Sequence, residues 1–306
     1  MQTQTPEFEF IARLAARPGA AAEVIGDDAA VLPAGDGASL LLATDTILEA
    51  THFLRESLPA AGPLAGLPAI GHKALAVNLS DIAAMGGTAT ACTLALSAGR
   101  GWSSRDLDAI CEGLLATAQE FGCPLVGGDT TSWNGPLALT VTVLGRVDEP
   151  LLRAGGRAGD VLVATGPLGG SLKCGRHLTF TPRLREIELL RRHLTPTAAI
   201  DLSDGLASDL AHLAAASGCG AIVDHVPRHE GVTLEAALAD GEDFELLLAL
   251  NPDEAADLFA GREMIETPVP LHRIGRLTAD SEVRLRVAGR DELLPPTGYS
   301  HPFSRD

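Results

Sequence analysis

The apolar and polar positions of this chain alternate between a helical and a strand period. From Glu7 to Ala16 the apolar side chains recur at helical spacing and predict a short amphipathic helix. After a Pro/Gly turn, Leu40 to Ala43 is a compact apolar run that ends at Thr44 and Asp45, the pattern of a buried strand. Ile70 to Met85 carries Leu75, Leu79 and Ile82 at helical spacing and stops at Gly86-Gly87, before a strand-like run from Thr88 to Ser97. Ser103 or Ser104 caps a helix whose Leu107, Ile110, Leu114, Leu115 and Phe121 make one apolar face. Pro124 to Val126 reads as another buried run, closing in Gly127-Gly128-Asp129. Leu137 to Val147 alternates in the β manner, with Leu137, Leu139, Val141 and Val143 on one side.

Near Asp148-Glu149-Pro150 the pattern restarts. A strand is expected at Val161 to Ala164, helices at Arg183 to Leu194 and Leu206 to Ala216, and later strands at Ala221 to Val223, Phe244 to Leu250, Arg273 to Leu277 and Val283 to Val287. These elements define an α/β fold of the α+β type in two domains, residues 1–148 with a mixed sheet and helices and residues 149–306 as a second α/β unit. No short-period repeat or low-complexity tract interrupts them.

Composition narrows the class. An apolar content of 46% with only 4% aromatics suits an aliphatic, alanine-rich globular protein. Lys and Arg number 23 against 40 Asp and Glu, a formal charge of −17, which disfavours nucleic acid as a partner. An acidic chain still binds a nucleotide when divalent cations neutralise the charge between them. The five cysteines (Cys92, Cys111, Cys123, Cys174, Cys219) include no C-x-x-C pair, so neither a disulfide framework nor a zinc site is expected. The N-terminal residues do not read as a signal peptide, and apolar runs such as Ala89 to Ala98 are too short to span a bilayer, so a cytoplasmic location is expected.

The candidate chemistry lies in acids that follow apolar runs: Asp45 after LLLAT, Asp81 after LAVNLS, Asp129 after PLVGG, and Asp201 and Asp204 in AAIDLSDG. Asp27 and Asp28 lead into the Ala29 to Leu32 run. Each acid alone reads as a cap or turn residue. Placed at the ends of strands, several of them would meet where open α/β folds keep their ligands. Two like charges ~6 Å apart at an effective dielectric of ~20 repel by about 3 kcal/mol, and four such groups make six pairs, so a cation must offset them. Oxygen-only ligands select hard cations, magnesium in particular, with phosphate oxygens completing the shell. There is no G-x-x-x-x-G-K-[ST] and no HRD/DFG pair. The clusters Gly127-Gly128, Gly155-Gly156 and Gly166 to Gly170 read as turns as readily as phosphate cradles.

Taken in order, VIGDDAAVL (24–32), ATDTILEATHF (43–53), GHKALAVNLSDIAAMGG (71–87), VGGDTT (126–131), AIDLSDGLASDL (199–210) and DGEDFELL (240–247) resemble the thiamine-monophosphate kinase family across nearly the whole chain. That family is part of a wider ATP-binding group shared with aminoimidazole ribonucleotide synthetase and selenophosphate synthetase. The resemblance implies a homodimer formed through the N-terminal sheets, ATP and thiamine monophosphate as substrates, and several magnesium ions. It makes Asp28, Thr44, Asp45, Asp81, Asp129, Asp201 and Asp204 metal ligands. It assigns ATP contacts to Gly128, Asp129, Arg153 and Ser203, and thiamine contacts to His52, Glu242 and Tyr299. Asp45 and Asp129 are expected to be essential for turnover.

Two departures from the family pattern stand out. Ala43 occupies a place where many relatives have serine, and the segment after TGPLGGSL (165–172) is short, passing through KCGRHLTF to Pro182. The absence of a cysteine before Cys92 disfavours a selenophosphate synthetase, and the HPFSRD ending disfavours the hydrogenase-maturation dehydratase. Other readings of the chain are an aminoimidazole ribonucleotide synthetase-like enzyme and a non-catalytic nucleotide-binding protein.

Overall fold

The protein was described from a computed structural model covering residues 6–21, 25–261 and 265–302. Val24, which opens the VIGDDAAVL motif, lies outside the described residues, as does the chain end from Phe303.

The first half contains α1 (Pro6–Ala15), β1 (Ala30–Pro33), β2 (Ser39–Leu48), α2 (Pro68–Ala84), β3 (Thr88–Ala98), α3 (Ser104–Glu120), β4 (Leu125–Ser132) and β5 (Ala138–Val147). Its five strands form one mixed sheet in the order β1-β2-β5-β3-β4, antiparallel except where β3 meets β4. The second half contains β6 (Val161–Thr165), α4 (Ser171–Cys174), α5 (Leu184–Leu190), β7 (Ala198–Asp201), α6 (Leu206–Ala216), β8 (Gly220–Val223), α7 (Leu234–Ala239), β9 (Leu246–Leu250), α8 (Pro252–Phe259), β10 (Leu271–Thr278), β11 (Val283–Val287) and β12 (Arg290–Leu293). Here a seven-stranded sheet runs β12-β11-β8-β10-β6-β9-β7.

Helix α2 organises the molecule. It is buried on every side, and only Asp81 and Pro68 escape full burial along it. One side packs on β2 and β5 and another on α3, while further residues meet β7 and α5 of the second half. The α2–α3 crossing is tight because two glycines sit in it. A Cβ on Gly71 would lie 1.8 Å from the Ile110 carbonyl oxygen, and one on Gly113 would lie 1.9 Å from that of Pro68. Helix α3 is started by Ser103, whose side chain and that of Asp106 satisfy each other's backbone N–H groups.

The first sheet is dressed on one side only. Leu41, Ala43 and Ile47 of β2 and Leu139, Val141 and Val143 of β5 are buried toward α2, at 0–2% exposure. The alternate positions face outward: Leu42, Thr44 and Thr46, with Thr140, Thr142 and Leu144 beside them. Thr44 and Thr142 share a hydroxyl hydrogen bond of 3.0 Å across the strands, and Thr46 and Thr140 one of 2.7 Å.

The structure corrects three expectations. Strand β2 continues to Leu48, so Thr44 and Asp45 lie within it rather than at its end, because TDTIL keeps the alternation that the apolar run began. Pro124 to Val126 is not a buried run: β4 is an exposed edge strand, with Val126 65% exposed. Leu115 is 49% exposed and drops out of the apolar face of α3, since it lies one residue past Leu114 and therefore about 100° around the helix. No helix among the described residues is long and apolar enough to cross a membrane.

The crossing geometry makes a prediction. Gly71→Ala should cost about 2–3 kcal/mol in urea unfolding, because backbone rather than a yielding side chain meets the new methyl. Gly101→Ala, where a Cβ meets nothing within 4 Å, should stay within about 0.5 kcal/mol. Equal midpoints for the two variants would refute the tight crossing.

Candidate active site

A cleft of about 530 Å³ opens between the two halves. Its acid end is assembled from four directions. Asp28 precedes β1, Asp45 stands mid-strand on β2, Asp81 sits in the last turn of α2, and Asp201 ends β7, with Asp204 in the loop beyond. Oxygens of Asp28, Asp81 and Asp201 lie within 4.8 Å of one another. Ser80, one residue before Asp81, donates to Asp201 Oδ2 at 2.6 Å, so the end of α2 orients an acid of the other half.

Arg153, from the link between the halves, donates to Asp28 Oδ1 at 2.6 Å, and its backbone N–H donates to Asp27 at 3.1 Å. Asp28 Oδ2 is buried and has no hydrogen-bond partner. Asp209, at the start of α6, accepts from the backbone N–H groups of Asp204 and Gly205 and fixes the loop that carries Asp204.

The carboxylates are too close and too dry to be charged together. Burial, then the charges of Asp45, Asp201 and Asp28, raise Asp81 well above the ordinary carboxylate range, and Asp81 gives a hydrogen bond to Asp45. Burial and the charge of Asp28 push Asp201 up to about 8. Burial and the charge of Glu7 push Asp204 to about 7. Asp28 and Asp45 are raised as well, chiefly by burial.

The other end of the cleft is ringed. His301 meets His52 and Tyr299 edge to face, with centroids 5.6 Å apart for His52 and His301 and 5.1 Å for Tyr299 and His301. Phe8 of α1 lies 4.4 Å from the ring of His212. Glu7 accepts from the backbone N–H of His301 at 2.9 Å, tying α1 to the C-terminal segment at the mouth. Burial, aided by the charge of Lys73, lowers His52 to about 4, so its ring is neutral; Nδ1 accepts from Leu48 N at 2.9 Å, which leaves the proton on Nε2. Glu242, at a left-handed backbone angle of φ 57°, is paired with the buried Lys73.

Of the residues the sequence singles out, the structure brings Asp28, Thr44, Asp45, Asp81, Asp201, Asp204, Arg153, Ser203, His52, Glu242 and Tyr299 to this one cleft. Thr44 reaches it only through its backbone, since its hydroxyl bonds to Thr142 and Val141 on the outward face of the sheet. Gly128 and Asp129 do not line it. Asp45, Val141, Leu94 and Gly128 share one row across the sheet, so three strand spacings separate the first from the last, roughly 14 Å. Gly128 also has a packing reason to be glycine: a Cβ there would fall 1.9 Å from the Leu94 carbonyl oxygen.

Lys73, Asp209, Glu7, Phe8, His212 and His301 line the cleft without having been singled out. Lys73 left a trace, as a lone cation inside an otherwise apolar helical stretch. The short KCGRHLTF segment is packed rather than open, with His177, Leu178 and Phe180 buried and the Phe180 carbonyl 2.7 Å from His72 Nε2.

The fold and the site define a two-half α/β protein with an acid-lined cleft between its sheets. Residues 26–147 match the family model described as AIR synthase related protein, N-terminal domain. The chain is 36% identical over 318 residues to a thiamine-monophosphate kinase of Rhodopirellula baltica, covering 96% of this chain and 97% of the relative. It is 37% identical to that of Salmonella typhimurium, covering 84% of this chain and 85% of the relative. A solved structure described as AaThiL complexed with AMPPCP and TMP superposes with a TM-score of 0.78 at 26% identity, covering 91% of this chain and 92% of that one. The chain belongs to the thiamine-monophosphate kinase family.

The raised acids set a pH dependence in cation-free buffer. The folded chain keeps protons on Asp201 and Asp204 that the unfolded chain releases near 3.8, so this stability is fully present below about pH 4 and lost as pH rises through 7 and 8. The melting temperature in chelator should fall between pH 5.5 and 8.5, and a rising profile would contradict the assignment.

Proposed function

We propose that this chain transfers the γ-phosphoryl of ATP in line to the phosphate of thiamine monophosphate, giving thiamine diphosphate and ADP. One observation carries the reading: a single cleft joins a carboxylate cluster, with an orphaned buried oxygen on Asp28, to an end lined by His52, Tyr299 and Glu242. All-oxygen donors at that spacing fit a hard divalent cation. Asp28, Asp81 and Asp201 would hold magnesium, with Asp45, Asp204 and the Thr44 backbone beside them. Bound there, magnesium supplies neutralisation of the two approaching phosphates.

The chain's own residues do the rest. The acceptor phosphate is already an anion, so no general base is required, and the neutral His52 offers a donor at Nε2 rather than a proton acceptor. Arg153 adds the one cation beside Asp28, positioned for a phosphate oxygen, and Ser203 lines the same wall. The rings of His52, Tyr299 and His301 suit a heteroaromatic acceptor, and the Glu242 carboxylate suits a cationic ring. On this reading residues 1–148 bind metal and nucleotide and residues 149–306 complete the site, in a reducing cytoplasm that suits five free cysteines.

A homodimer through the first sheet belongs to the same proposal. The outward face of β2 and β5 and the exposed edge of β4 are surfaces that a second copy would cover. Gly128 and Asp129 then enter the nucleotide site from that interface rather than from the cleft.

Purified protein with magnesium, ATP and thiamine monophosphate should yield thiamine diphosphate by chromatography, whereas ATP binding without product would favour a non-catalytic role. Asp45→Asn and Asp129→Asn should each lower turnover at least 100-fold while leaving the fold in place, a loss of about 2.7 kcal/mol or more in transition-state stabilisation. Near-normal turnover in either defeats that residue's assignment. Sedimentation should give twice the 31.6 kDa chain mass, and a monomer would defeat the dimer.

A further inference from the structure

Lys73 is the largest fully buried side chain of α2 that carries a charge, with its side chain 0% exposed. A buried ammonium persists only where its charge and its donors are met. Its Nζ donates to the His52 carbonyl oxygen at 2.8 Å and to Glu242 Oε2 in a close ion pair. These two partners come from opposite halves of the molecule, His52 from the loop after β2 and Glu242 from the turn before β9. The Glu242 turn is strained, with positive φ at both Glu242 (57°) and Phe244 (52°), so it needs an external hold. The hold falls on the two residues that face the acceptor end of the cleft.

We propose that Lys73 is a positioning residue for the acceptor: its ammonium pairs with Glu242 and aims its carboxyl group, and fixes the His52 loop, so that the cleft recognises a cationic heteroaromatic ring. This rests on the thiamine-monophosphate reading above, whose acceptor carries a permanently charged thiazolium. Without Lys73, Glu242 would be a carboxyl group buried near Asp45 with no counter-ion. It would then lose the partner that aims it at the ring. Nucleotide binding at the acid end, fed by Asp28, Asp81 and Arg153, does not use this pair.

Steady-state kinetics test it with four proteins: wild type, Lys73→Met, Lys73→Arg and the double variant Lys73→Met/Glu242→Gln, each with its melting temperature. Lys73→Met should raise the KM for thiamine monophosphate tenfold or more while the KM for ATP stays within twofold. Lys73→Arg, which keeps the charge, should recover most of that loss. In the double variant the unpaired buried carboxyl is gone, so the melting temperature should return toward wild type while the acceptor KM remains high.

Restoration of both stability and acceptor KM in the double variant would show the pair to be a structural staple only and overturn the proposal. Should Lys73→Met fail to fold, the Lys73→Arg and double variants still decide it by the same two readouts. Wild-type product formation with equal acceptor KM in every variant sinks the role of Lys73 alone. Absence of product from the wild type sinks the kinase reading and this inference with it.

Discussion

The structure turns on the mutual repulsion of carboxylates held together in a poorly solvated cleft. Asp28, Asp81 and Asp201 bring oxygens within 4.8 Å of one another, and Asp45 and Asp204 stand beside them. At such spacing, full ionisation without a counter-charge would cost several kcal/mol per pair. The molecule keeps them together because each is fixed by an element with other reasons to be where it is. Asp45 is locked in β2 opposite Val141 of β5, Asp201 terminates the buried β7, and Asp81 ends a helix enclosed on all sides. The fold thus holds together carboxylates that repel one another when ionised.

Helix α2 connects the two ends of that site. Its C-terminal turn supplies Ser80 and Asp81 to the acids, and about two turns earlier Lys73 reaches Glu242 and His52 at the ringed end. At a rise of about 1.5 Å per residue, the eight residues from Lys73 to Asp81 span roughly 12 Å, a distance suited to a two-ring acceptor with its phosphate. The close crossing with α3 through Gly71 and Gly113 keeps this ruler rigid. Function and packing share one element, which is why a helix with so few exposed positions carries Lys73 and Asp81 into the cleft.

Much of this was legible in the residues. The periodicity located most of the longer elements, α6 and β11 with their observed bounds, and the acids after apolar runs, Asp129 apart, are ones that the fold gathers in one cleft. What the pattern misplaced follows from its limits. An apolar run such as Pro124 to Val126 announces a strand but not whether that strand is central or at an edge, because burial is set by neighbours distant in sequence. For the same reason Asp129, alike in local pattern to Asp45, lies three strand spacings and one residue away from it, roughly 15 Å. Lys73 and Asp209 were overlooked because their roles lie in holding Glu242, His52 and the Asp204 loop, and such partners are revealed only by the tertiary fold.

The most direct test of the central claim is anomalous diffraction from crystals grown with manganese in place of magnesium, a non-hydrolysable ATP analogue and thiamine monophosphate. The account predicts metal peaks bridged by Asp28, Asp81 and Asp201, with phosphate oxygens completing their coordination. Peaks confined to other acids, with those three side chains turned away from the nucleotide, would contradict it.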